Sequence, residues 1–153
     1  MEVATRMART EMGVPEIDAG HEKIACILER VATVAQAGDP GRMLEALGEL
    51  KTASETHFRV EEEWMAAINY GGLAEHKILH DNEIARISDL MGRITGGGMR
   101  PSPRQTLPFA IWFREHLRTA DLDLAEAIRS HRRKAGAPAA GAVTRGRGPD
   151  AGR

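Results

Sequence analysis

The stretch from His57 to His80, HFRVEEEWMAAINYGGLAEHKILH, constrains the fold more than any other part of the chain. It holds two pairs of metal-ligand residue types at i,i+4 spacing, His57 with Glu61 and His76 with His80. Four residues make roughly one helical turn, so each pair projects from one face of its own helix toward one point. Tyr70-Gly71-Gly72 lies between the pairs and lets the chain reverse. Two helices facing each other with converging ligands are therefore expected. This points to a metal site inside a helical bundle, with its remaining ligands supplied from elsewhere in the chain.

The flanking sequence has the period such a bundle needs. Ile17, His21, Ile24, Leu28, Val31 and Ala35 step by three or four, the apolar face of an amphipathic helix, with Asp18 as its candidate N-cap. Gly38 closes that helix, and Asp39-Pro40 opens the next with a cap residue followed by Pro at the first helical position. The second face runs Met43, Leu47, Leu50, Ser54, His57, Glu61, Trp64 or Met65, and Ile68. The third runs Leu73, His76, His80, Ile84, Ile87, Met91 and Ile94, and ends at Gly96-Gly97-Gly98. Ser102 and Gln105 form a candidate capping box around Pro103. The last helix then shows Phe109, Phe113, His116, Ala120, Leu124, and Ala127 or Ile128.

Four such segments joined by short loops predict an all-α fold, an antiparallel up-down four-helix bundle over residues 17–131. An N-terminal arm, residues 1–16, precedes it. A basic, Gly/Ala/Pro-rich tail, residues 132–153, follows and is expected to be disordered.

Composition narrows the chemistry. A chain of 153 residues suits one domain with a substantial core. The single cysteine, Cys26, excludes an internal disulfide, a cysteine-rich zinc site and an iron–sulfur cluster. It reads as a small residue packing at a helix edge. No C-x-x-C-H occurs, so covalent c-type haem is excluded as well. With no signal-peptide pattern and no run of 18 apolar residues, a cytoplasmic protein without membrane insertion is expected. Residues 1–131 carry 15 basic and 21 acidic side chains, whereas residues 132–153 carry six basic and one acidic. The basic tail lacks interleaved aromatics and the remainder is acidic, so nucleic acid is not the expected partner.

His21, His57, Glu61, His76, His80 and His116 all lie in register with the apolar face of their helix. One histidine in such a place is usually a hydrogen-bonded core residue. Five histidines and a glutamate spread over four helices would each need a separate buried partner, at a few kcal/mol for every polar group left unpaired. Metal coordination satisfies all of them at once.

The order H … H-x-x-x-E … H-x-x-x-H … H-x-x-x-x-D resembles the hemerythrin family, carried here by His21, His57, Glu61, His76, His80, His116 and Asp121. Flanking residues resemble it too: Asp18 before His21, Phe58, Glu62 and Met65 around Glu61, Tyr70 in the loop, and Trp112 four before His116. The resemblance spans about residues 12–130 and implies a non-haem di-iron centre. On its terms His76, His80 and His116 bind one iron, and His21 and His57 the other. Glu61 and Asp121 bridge both, together with an oxo or hydroxo group. The first iron is then closed and the second has one open position, where O2 binds reversibly, with Ile24, Trp112 and Phe113 forming a dry pocket.

His116 and Asp121 are five residues apart, about 140° around an ideal helix, so Asp121 is expected to reach sideways; a local π bulge would help. The chain departs from the family at Phe113 (commonly leucine), Leu124 (often tyrosine), Gly20 (frequently glutamine) and Gly71 (commonly proline).

The implied function is O2 carriage, storage or delivery rather than catalysis, because no output domain is recognised that would favour sensing. The alternatives are a di-iron oxidase or peroxidase, or an O2 or redox sensor acting through a partner. A ferritin-like oxidase would use Glu-x-x-His pairs, and none occurs. His76-Lys77-Ile78-Leu79-His80 lacks the glutamate of a zinc peptidase. Glu62 and Glu63 read as a solvated face, with Glu62 also a candidate outer partner of a ligand histidine.

Overall fold

In the computed structural model, which describes residues 11–136, each periodic segment becomes a helix. These are α1 (Pro15–Ala37), α2 (Pro40–Ala67) and α3 (Leu73–Thr95). The fourth rod is composite: α4 (Pro103–His116) passes into a π-helical segment (Leu117–Asp121) and continues as α5 (Leu122–Gly136). Helix α1 packs against α2 and α4, and α2 packs against α3, giving a four-helix bundle.

The turns follow from local chemistry. Gly38 closes α1 in the left-handed conformation, φ 66°, where its amide donates to the Val34 carbonyl. The Asp39 carboxylate accepts the Arg42 amide at 3.1 Å, and Pro40 takes the first helical position. Two details differ from the sequence reading. Helix α1 starts at Pro15 with Val14 as its N-cap residue, and Asp18 instead reaches back to accept the amides of Met12 (2.7 Å) and Gly13 (3.1 Å). Ser102 and Gln105 join side chain to side chain, and the Ser102 hydroxyl caps no backbone amide; the Gln105 amide donates to the Ser102 carbonyl instead. The reversal between α2 and α3 falls at the expected Tyr70-Gly71-Gly72 break, where the Leu73 amide donates to the Tyr70 carbonyl; Asn69 just before it takes a positive φ of 53°, and the Tyr70 amide donates back to Met65.

Ile17, Met43, Leu47, Met65, Leu124 and Ile128 are fully buried, each worth about 1.5–3 kcal/mol of apolar burial. Met65, rather than Trp64, takes the core position on α2. On α3 the stripe is shifted: Glu83 is only 3 % exposed, whereas Ile84 is half-buried.

Residues 132–136 of the tail expected to be disordered are helical instead, because α5 runs on through Gly136. Arg132 anchors the extension by laying its guanidinium over the Trp64 ring at 4.7 Å and pairing with Glu16 at 3.2 Å. Arg129 donates to the Met12 carbonyl nearby. Most of the expected arm (residues 1–10) and tail (residues 137–153) lies outside the described residues. Among the described residues no helix is long and apolar enough to cross a membrane.

Candidate metal centre

In an antiparallel bundle the starts of α1 and α3 lie beside the end of α2 and the second half of the fourth rod. His21, His57, Glu61, His76, His80, His116 and Asp121 meet at that level, each no more than 4 % exposed. The i,i+4 spacing does its part on α2 and α3. On the fourth rod the π segment is decisive. A π turn holds one residue more than an α turn, so Asp121 returns to the face of His116, with 3.0 Å between Oδ1 and Nε2. Asp121 therefore stands over His116 and does not reach around the helix, as 140° of α-helix would have required.

Donor atoms from Glu61, His76, His80, His116 and Asp121 lie within 4.8 Å of one another, and so do those of His21, His57, Glu61 and Asp121. The two groups share the two carboxylates and no histidine. Each carboxylate divides its oxygens between them. Glu61 Oε1 faces His57 Nε2 (3.0 Å) and His21 Nε2 (3.5 Å), whereas Oε2 faces His80 Nε2 (3.1 Å) and His76 Nε2 (3.5 Å). Asp121 Oδ2 faces His21 Nε2 at 3.1 Å, and Oδ1 faces His76 and His116 at 3.0 Å each.

Whether these residues fit a metal can be judged from the donors themselves. Two donors at right angles on an ion, each at ~2.1 Å, are separated by about 3.0 Å, and by about 3.4 Å if tetrahedral. In the five-donor group His76–His116, His80–His116, His76–Asp121, His116–Asp121 and His80–Glu61 lie 3.0–3.2 Å apart, the edges of a six-coordinate site. Both Glu61 oxygens, Asp121 Oδ1 and His57 Nε2 are buried yet aligned for no hydrogen bond, despite their short approaches. Buried polar atoms in that condition are costly in a protein and natural as ligands. The donor set fits one cation in each group.

The electrostatics of the metal-free cage agree. Burial alone would lower the pKa of His21 and of His76, but Asp121 and Glu61 beside them outweigh it and hold each at about 9. Burial would raise Glu61, but His21, His57, His76 and His80 hold it well below the ordinary carboxylate range. Asp121 is also held low, by His116, His21 and His76 against burial and the Glu61 charge. Without a cation, the cage keeps its carboxylates ionised by placing protons on imidazoles.

The surroundings separate the two groups. Phe58 stacks on His80 (centroids 3.8 Å, 4°) and Trp112 stacks on His116 (4.4 Å, 15°). His80 Nδ1 donates to Glu62 at 3.3 Å, and Lys77 lies 3.7 Å from the same oxygen. Phe113 meets His21 edge-on at 5.9 Å. Of the residues expected around an O2 pocket, Phe113 thus stands at the four-donor group and half-buried Trp112 at the other; Ile24 is buried about one turn beyond His21.

Glu83 was missed from the sequence because Ile84 competes for the same stripe; the Glu83-x-x-Arg86 pair was the available signal. Burial pushes its carboxyl up to about 7, against the pull of Arg86, whose Nη1 donates to it at 2.7 Å. Arg86 in turn lies over the Phe109 ring.

A helical bundle whose core holds two histidine groups joined by two carboxylates defines a non-haem metal protein of the bundle class. Residues 12–128 match the family described as "Hemerythrin HHE cation binding domain", and the chain belongs to the hemerythrin family. It is 28 % identical over 110 residues to a bacteriohemerythrin of Ralstonia nicotianae, covering 72 % of this chain and 77 % of that one. It is 27 % identical over 116 residues to a bacteriohemerythrin of Clostridium acetobutylicum, covering 72 % and 90 %. A crystal structure of wild-type hemerythrin shares the fold with a TM-score of 0.69 at 22 % identity, over 73 % of this chain and 86 % of that chain.

Proposed function

We propose that the protein binds O2 reversibly at a di-iron centre. His76, His80 and His116 hold one ion, His21 and His57 hold the other, and Glu61 and Asp121 bridge them. The observation that carries this reading is the division of each carboxylate's two oxygens between two histidine groups. Two ferrous ions, when bound, supply the electrons that make O2 uptake and release possible.

The chain's own residues set the conditions. With ions bound the five imidazoles would be neutral, so the two carboxylates would be the cage's only charged ligands and its charge would stay modest. The His21–His57 group has one donor residue fewer than the other, so an ion there would keep a position for an outside ligand, and O2 would bind on that side. Phe113, 3 % exposed and edge-on to His21, keeps water from that side. Glu62, by accepting from His80 Nδ1, fixes the tautomer that turns Nε2 toward the cage.

The test is anaerobic loading with ferrous iron followed by cycles of O2 addition and removal under visible absorption. A charge-transfer band that rises with O2 and vanishes on deoxygenation, over repeated cycles, is the expected result. Irreversible conversion at the first exposure would contradict carriage and favour an oxidase, peroxidase or redox-sensing role.

A further inference from the structure

Gly20 stands inside α1, next to His21, where a helix gains nothing from glycine. The reason for its presence lies across the bundle. A methyl group built on its Cα would overlap Nδ1 of His57 and lie 2.8 Å from Cγ and 3.0 Å from Cε1 of the same ring. The ring also meets His21 edge-on, with centroids 4.5 Å apart. In this chain the imidazole lies directly against the bare α1 backbone with Nε2 3.0 Å from Glu61 Oε1, so a side chain at position 20 would require the ring to shift from that place.

The same seat deprives His57 of outer support. Its Nδ1 is buried with no hydrogen-bond partner. His80 differs on every count: its Nδ1 donates to Glu62, and its ring lies flat on Phe58. Outer partners of ligand histidines orient the ring and raise its basicity, and their loss typically lowers metal affinity about 10–100-fold.

From these contacts we infer that Gly20 is a positioning residue for His57, and that the His21–His57 group holds its ion more weakly than the His76–His80–His116 group. The protein then fills in sequence, five-donor group first. This inference rests on the two-ion reading of the cage.

Equilibrium dialysis of the metal-free full chain against Co(II), with metal analysis, tests it. Wild type is expected to bind two ions per chain in two steps separated by about 10–100-fold. Gly20→Ala is expected to keep the first step unchanged and to weaken the second at least tenfold. In a His57→Ala background the same substitution adds nothing, which assigns the effect to the ring. Alanine favours helix, so unchanged helical circular dichroism separates this loss from misfolding. Two ions bound equally tightly by wild type, an unaltered second step in Gly20→Ala, or a loss that persists without His57 would each overturn the inference. Fewer than two ions in wild type would instead remove the two-ion reading, and the inference with it.

Discussion

All five imidazoles of the cage turn Nε2 inward, so the outward Nδ1 atoms are where one ligand differs from another. That is why Glu62 and Gly20, neither of them in the cage, bear on its properties. Phe113 matters for the same reason, because its edge lies on His21, the histidine of the less crowded group. A leucine in its place removes part of the ring that shields this side. Phe113→Leu is expected to change the O2 dissociation rate or the autoxidation rate by several-fold in stopped-flow and slow-oxidation measurements. Unchanged values for both would remove Phe113 from the ligand pocket. The convergence of His57 with Glu61 and of His76 with His80 was legible in the sequence because i,i+4 spacing is a strong local signal. The contact of Gly20 with His57 was not, since it joins residues 37 positions apart on different helices.

Among the elements, the helix boundaries at Gly38, Asp39-Pro40 and Gly96-Gly97-Gly98 were readable because cap chemistry is local. The π segment was legible only through the five-residue spacing of His116 and Asp121; no residue type within Leu117–Asp121 marks it, and it brings both side chains to the cage. The α3 stripe was misread by one residue at Glu83, a buried carboxyl that costs stability whenever it must ionise.

The sign of that cost follows from its pKa, about 7 in the fold against an ordinary 4.5. Between those values the folded chain holds a proton that the unfolded chain has released. The stability contribution is therefore full below pH 4.5 and lost as pH rises through 7. Glu83→Gln keeps an acceptor for Arg86 and abolishes the titration. Urea unfolding should show the variant gaining on wild type between pH 5 and pH 8, by about 3 kcal/mol at most. A gap independent of pH would show that Glu83 does not titrate in this range.

For the molecule as a whole, the cage is a polar layer set within an apolar core, and its cost depends on what fills it. In the metal-free protein His21 and His76 hold protons up to about pH 9, against an ordinary 6.5. Their contribution to stability is full below pH 6.5 and is lost as pH rises through 9, when Glu61 and Asp121 are left buried without those cations. Imidazoles bound to metal have no such proton to lose. The melting temperature of metal-free protein is therefore expected to fall between pH 7 and pH 10 more steeply than that of the metal-loaded protein, and parallel curves would contradict this.

The bundle itself was legible at this scale from four periodic segments. The extent of the last helix was not, because the cation–π contact between Arg132 and Trp64 that sustains it is tertiary.

On the proposed reading seven residues hold two ions that share two carboxylates. Anomalous diffraction at the iron edge from crystals of the iron-loaded protein would locate those ions. Two iron peaks are predicted, one among His76, His80 and His116 and one beside His21 and His57, with Glu61 and Asp121 reaching both. A single peak, or a second peak outside the reach of either carboxylate, would contradict the account.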